Sequence, residues 1–153
     1  HRTVVVADTV APAITLLGSQ SIQQEQGQPY AEMGATAYDA VDGDISGAVV
    51  IDASGIDINT AGTYVVIYVS TDSAGNQSMM SRQVEILDTM PPTIELNGSE
   101  TIQHELGSLF TDPHVIASDT VDGDLTASVT VVSSVDPSAV EQFSLGAEVP
   151  AIL

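Results

Sequence analysis

The 153-residue chain carries 21 acidic residues against two basic ones, Arg2 and Arg82, and its formal net charge of −19 argues against nucleic acid or an anionic membrane surface as a partner. It has no Cys, which excludes disulfides and thiolate metal sites, and no uninterrupted apolar run of about 18 residues that would span a membrane. Apolar residues make up 43% of it, mostly Val, Ile, Ala and Leu with no Trp, a β-branched bias that favours sheet over helix.

In chain order, Arg2-Thr-Val-Val-Val-Ala7 has the character of a strand and leads into a linker, Asp8-Thr-Val-Ala-Pro12. Short strands are then predicted at Ile14–Leu17, Ser21–Glu25, Met33–Tyr38, Ala48–Ala53, Thr63–Ser70 and Ser78–Leu87, each rich in Val, Ile, Tyr or Thr. Turn residues separate them: Gly18-Ser19, Gly27-Gln28-Pro29, Asp42-Gly43, Asn59 to Gly62, and Asp72-Ser-Ala-Gly-Asn76. No segment has a helical period. About seven strands in a stretch of this length suit a small antiparallel sandwich.

The pattern then recurs. Residues 8–45 match 88–125 at 17 of 38 positions without a gap, a tandem repeat at a spacing of 80 residues. Arg2–Thr9 likewise aligns with Arg82–Thr89. The expected organisation is 1–7 as the last strand of a preceding repeat or a donor strand, 8–87 as a complete repeat, and 88–153 as a second repeat lacking its final strand or strands. A sandwich short of a strand exposes unpaired backbone, and Arg2, Val4 and Val6 of another copy have the alternation to fill it; the favoured alternative is that these 153 residues are an excerpt of a longer array.

The most suggestive chemistry lies in Asp39-Ala-Val-Asp42-Gly-Asp44, which returns as Asp119-Thr-Val-Asp122-Gly-Asp124. Following strand direction through the first repeat brings Asp8, Asp39, Asp42, Asp44, Asp72 and the Asn76 carbonyl to one pole. Glu25 and Asp57 fall at the other, facing Asp88, Asp119, Asp122 and Asp124 of the next repeat. An oxygen-only set suits Ca²⁺, which takes about six to eight oxygens, better than Mg²⁺ or Zn²⁺. The spacing is not that of an EF-hand loop. A second reading stands beside the first, because Asp and Gly are ordinary turn formers and an Asp can cap its own loop.

Four motifs in order, Asp-Thr-x-x-Pro-x-Ile-x-Leu-x-Gly, Asp-x-Val-Asp-Gly-Asp, Ala61-Gly-Thr-Tyr64 and Asp72-Ser-Ala-Gly-Asn76, resemble the bacterial immunoglobulin-like domain found in tandem in large secreted and surface proteins. The resemblance covers residues 8–88 fully and 88 to about 143 in part. It implies an all-β fold of tandem immunoglobulin-like antiparallel sandwiches, the second incomplete, at the bacterial cell surface or outside the cell. It further implies a spacing, adhesive or presenting role with no shared catalysis, so no enzyme. The second repeat departs from it at Val140-Glu-Gln-Phe143, with no Asp-Ser-Ala-Gly-Asn following. The partners expected are neighbouring repeats or other copies of the chain, with surface glycans or proteins as further possibilities. A filament built by strand donation and a carbohydrate-binding accessory module of a secreted hydrolase are the alternatives. The latter requires an exposed aromatic face from among Tyr30, Tyr38, Tyr64 and Tyr68.

Overall fold

The structure, a computed structural model, describes residues 1–133, 135, 136, 138 and 145–148. It divides into two compact units, residues 1–88 and 89–153.

Unit 1 contains seven strands: β1 (Ala13–Leu16), β2 (Ser21–Glu25), β3 (Ala35–Asp39), β4 (Gly43–Asp44), β5 (Val50–Asp52), β6 (Gly62–Thr71) and β7 (Gln77–Leu87). They form one sheet in the order β1-β3-β4 and another in the order β2-β7-β6-β5. The long β6–β7 hairpin sets the second sheet, pairing from Gly62 with Ile86 to Thr71 with Gln77. Its inward positions alternate strictly: Val66, Tyr68 and Ser70 on β6, Arg82, Val84 and Ile86 on β7, all buried. Ile14 and Leu16 of β1 and Ala35 of β3 pack onto this face and close the sandwich. Each buried Val or Ile contributes about 1.5–3 kcal/mol of transfer free energy.

The structure corrects the expectation in one respect: the sandwich is not wholly antiparallel. β2 runs parallel to β7, Ser21 opposite Gln83 and Glu25 opposite Leu87. The break at Gly18-Ser19 is a crossing rather than a hairpin. The chain leaves the first sheet after β1 and enters the second as β2, so consecutive strands lie in different layers.

A buried polar knot joins the layers. Glu32 accepts hydrogen bonds from the hydroxyls of Tyr68 (2.5 Å) and Tyr30, from Gly34 N–H (2.7 Å) and from the Arg82 guanidinium (2.6 Å). Arg82 also donates to the carbonyls of Ser19 (3.0 Å) and Leu17 and stacks over the Tyr68 ring at 5.6 Å. Burial works against the Glu32 charge, but the donors outweigh it and hold its pKa below the usual value. Burial raises the Tyr68 and Tyr30 hydroxyls above theirs, with the Glu32 carboxylate acting in the same direction.

Unit 2 repeats the first sheet at the 80-residue offset. Here β8 (Thr93–Leu96), β9 (Val115–Asp119) and β10 (Gly123–Asp124) take the places of β1, β3 and β4, and Val115, Ala117 and Leu125 are buried. A second pair, β11 (Thr130–Ser133) and β12 (Leu145–Glu148), is antiparallel. Residues 101–105, which correspond to β2, belong to no strand. The expected departure at Val140–Phe143 lies outside the described residues.

Candidate metal centre

The turn after β3 is built by its own first carboxylate. Asp39 Oδ1 accepts the N–H groups of Val41 (2.7 Å) and Asp42 (3.0 Å), and Gly43 completes the reversal at φ +76°, a conformation open to glycine at little cost. The β6–β7 turn is closed in the same manner. Asp72 Oδ1 accepts Asn76 N–H at 2.7 Å, and Asp72 Oδ2 accepts the Asn76 side-chain amide at 2.7 Å. That amide also reaches the carbonyls of Asp8 and Val10, each at 3.4 Å, and so ties the linker to the hairpin.

These loops meet at one pole of unit 1. Asp8, Asp39 and Asp72 each place one carboxylate oxygen within 4.8 Å of the others. Asp39 and Asp72 are 2% and 7% exposed. Burial opposes the Asp72 charge, yet the Asn76 donors and the N–H groups of Ala74 and Gly75 more than offset it, leaving its pKa lowered. Asp8 Oδ1 accepts Val10 N–H at 3.2 Å, whereas its Oδ2 is buried and has no hydrogen-bond partner among the described residues. Three negative charges at this separation repel one another by on the order of 3 kcal/mol per pair at an effective dielectric of 20. A divalent cation that accepts hard oxygen ligands answers both the repulsion and the orphaned oxygen, so the residues fit Ca²⁺.

The other expected ligands in unit 1 lie outside this group and make hydrogen bonds of their own. Asp42 binds Ser73 through both oxygens, accepting its N–H at 2.6 Å and its hydroxyl at 2.7 Å. Asp44 accepts the hydroxyl (2.6 Å) and N–H (3.0 Å) of Ser46, and these bonds lower its pKa. The Asn76 backbone carbonyl accepts Asp72 N–H at 3.1 Å and so closes the hairpin. At the other pole Asp57 caps its own loop, accepting Asn59 N–H (2.9 Å) and the Thr60 hydroxyl (2.8 Å), and its pKa is lowered by them. Glu25 ends β2, partly buried, opposite Leu87. Arg2, Val4 and Val6 lie exposed on a segment that joins no sheet.

In unit 2 the turn is repeated. Asp119 Oδ1 accepts the N–H groups of Val121 (2.7 Å) and Asp122 (3.2 Å), and oxygens of Asp119 and Asp122 lie within 4.8 Å of each other. Asp124 is engaged by Thr126, whose hydroxyl and N–H lower its pKa. Asp88, the counterpart of Asp8, is the last residue of unit 1 and is exposed. By the β11–β12 register the counterpart of Asp72 is Ala151, outside the described residues.

The four tyrosines are dispersed in role. Tyr30 and Tyr68 bind Glu32, Tyr64 donates to the Thr60 carbonyl at 2.9 Å, and Tyr38 stands alone at 62% exposure. Among the described residues no helix is long and apolar enough to cross a membrane.

A β-sandwich repeated at fixed spacing, with an acidic pole where the linker enters, defines a tandem immunoglobulin-like module. The chain belongs to the family described as bacterial surface protein, Ig-like domain, whose model matches residues 14–86 and again 94–148. It is 32% identical over 106 residues to an uncharacterized 81.3 kDa protein of Acholeplasma phage L2; the match covers 64% of this chain and only 14% of that protein. Among solved structures it is similar to the lipoprotein BT2262 of Bacteroides thetaiotaomicron, at 30% identity and a TM-score of 0.45 over 52% of this chain and 39% of that one. A Clostridium perfringens ZmpB fragment, solved as CBM51-2 in complex with GlcNAc together with INT domains, is 26% identical at a TM-score of 0.42, covering 59% of this chain and 21% of that one.

Proposed function

We propose that this chain is a non-catalytic segment of a tandem immunoglobulin-like array outside the bacterial cell, and that Ca²⁺ bound at the linker pole stiffens it. The observation that carries the reading is the convergence of Asp8 with Asp39 and Asp72, because Asp8 belongs to the linker and the other two to the sandwich. A cation held by all three fastens the entering chain to the domain. Pro12 acts in the same sense by restricting the backbone just beyond it, as do Pro91 and Pro92 in the second linker. In unit 2 Asp119 and Asp122 offer the same turn. An acidic segment stiffened in this way spaces or presents other domains, with neighbouring repeats as its first partners.

Small-angle scattering with and without a chelator tests this. The expected result is a profile that loses its long-distance features and becomes that of a flexing chain when Ca²⁺ is withdrawn. An unchanged profile refutes the stiffening.

A further inference from the structure

Among the described residues, three buried side-chain oxygens have no hydrogen-bond partner: Asp8 Oδ2, Ser70 Oγ and Ser78 Oγ. The first belongs to the acidic pole of unit 1, and the β6–β7 register brings the other two up to it. Ser70 stands opposite Ser78. One inward position deeper, Tyr68 stands opposite Met80, and both pack in the apolar core. One inward position the other way is Asp72, buried and bonded to Asn76 across the turn. The inner face of the hairpin thus passes from an apolar pair, through a pair of hydroxyls, to a carboxylate that shares the pole with Asp8 and Asp39.

The two hydroxyls do nothing for the fold where they stand. Ser70 is wholly buried, and a buried hydroxyl without a partner is costly, whereas alanine of similar shape in its place costs little. Although directly opposed, the two serines do not bond each other. On the outer face the next pair does bond, the Gln77 side chain donating to the Thr71 hydroxyl at 3.3 Å. Opposed Cβ atoms on antiparallel strands lie about 4.5–5.5 Å apart, a span that one small molecule bridges. At a rise of about 3.4 Å per residue, Ser70 is about 7 Å along the strand from Asp72, within reach of a cation there through one water. A cation-bound water has two protons to give, and here two hydroxyl oxygens can accept them.

We infer that, with Ca²⁺ at the pole as proposed above, Ser70 and Ser78 hold one water molecule between them, and that this water is the cation's ligand on the core side. Asp8, Asp39 and Asp72 then supply carboxylate oxygens, and the water adds an oxygen from below toward the six to eight that Ca²⁺ takes. The two hydroxyls and the cation give that water three polar partners, as many as an ordered buried water usually has. Ser70 and Ser78 are positioning residues here: they touch the water and not the metal.

The test is calorimetric titration of Ca²⁺ into the 153-residue chain and its Ser70→Ala and Ser78→Ala variants, with urea denaturation of each in chelator. Ser81→Ala, which removes an exposed hydroxyl of the same hairpin, is the control. Each inward variant should bind about tenfold more weakly at the unit 1 site, the loss usual for a group that orients a metal ligand. Its denaturation midpoint in chelator should be unchanged or raised, and Ser81→Ala should match the parent in binding. Eu³⁺ in place of Ca²⁺ should carry at least one bound water, read from its luminescence lifetimes in light and heavy water. Parental affinity in both inward variants, or Eu³⁺ without a bound water, overturns the inference and leaves Ca²⁺ at the pole standing. Weaker binding matched by lower stability in chelator also overturns it, because the hydroxyls would then serve the fold. A parent chain that binds no Ca²⁺ overturns both.

Discussion

Asp42 grips Ser73 with both carboxylate oxygens, at 2.6 Å to the N–H and 2.7 Å to the hydroxyl, and so fastens the turn after β3 to the β6–β7 hairpin. This staple lies beside the Asp8–Asp39–Asp72 group without belonging to it, and keeps its two sandwich loops together.

Asp42→Ala should therefore act on the cation site at second hand. Losing two charge-assisted bonds at a partly buried position costs about 1–3 kcal/mol, readable by urea denaturation. It should also weaken Ca²⁺ binding severalfold by freeing the hairpin, with faster exchange of the Ser73 amide. Unaltered exchange at Ser73 would contradict the role given to the staple.

The Arg82–Glu32 knot is a matter of stability. Arg82→Met leaves a largely buried carboxylate with only the two tyrosine hydroxyls and the Gly34 N–H as donors, and unit 1 should lose about 3–5 kcal/mol in urea denaturation followed by circular dichroism. Arg82→Lys should recover little, since a single ammonium cannot reproduce the fork that reaches Glu32, Ser19 and Leu17. The double variant Glu32→Gln with Arg82→Met should be more stable than Arg82→Met alone.

The same knot sets the pH window. Glu32 and Asp72 have folded pKa values below their unfolded ones, so their contribution is complete above the ordinary carboxylate range and fades as pH falls through the lowered values. Tyr30 and Tyr68 are shifted upward, so their contribution is complete below about pH 10 and is lost at higher pH. The melting temperature of unit 1 should fall at both extremes. Glu32→Gln should flatten the acid limb, and an acid limb identical in the variant would rule out Glu32 as its source.

Much of this was legible in the residues. The 80-residue repeat gave the registers of both units, and period-2 alternation gave the strands of the β6–β7 hairpin. Following strand direction brought the loops of Asp8, Asp39 and Asp72 to one pole. Alternation does not reveal a strand's partner, however, so the parallel β2–β7 pairing was hidden behind a Gly-Ser break that resembles a turn. The knot did leave a sign: Arg82 shares a face with Val84 and Ile86, and a cation on the apolar face of a strand requires a buried anion. Its local partners, Tyr30 and Gly34, did not mark Glu32 as that anion, because the two that tie it to the β6–β7 hairpin, Tyr68 and Arg82, lie 36 and 50 residues away. Nor did the pattern Asp-x-x-Asp-Gly-Asp tell which carboxylates turn inward. Asp44 and Asp42 are diverted by Ser46 and Ser73, one local in sequence and one distant.

Calorimetric titration of Ca²⁺ into the chelator-stripped chain tests the central claim most directly, with Asp39→Asn as its control. Asparagine keeps an oxygen to accept the Val41 and Asp42 N–H groups, so the turn survives while one charge is removed. The account predicts saturable binding to the parent chain and a loss of roughly tenfold or more in affinity at the unit 1 site of the variant. No binding by the parent chain, or equal binding by the variant, would contradict it.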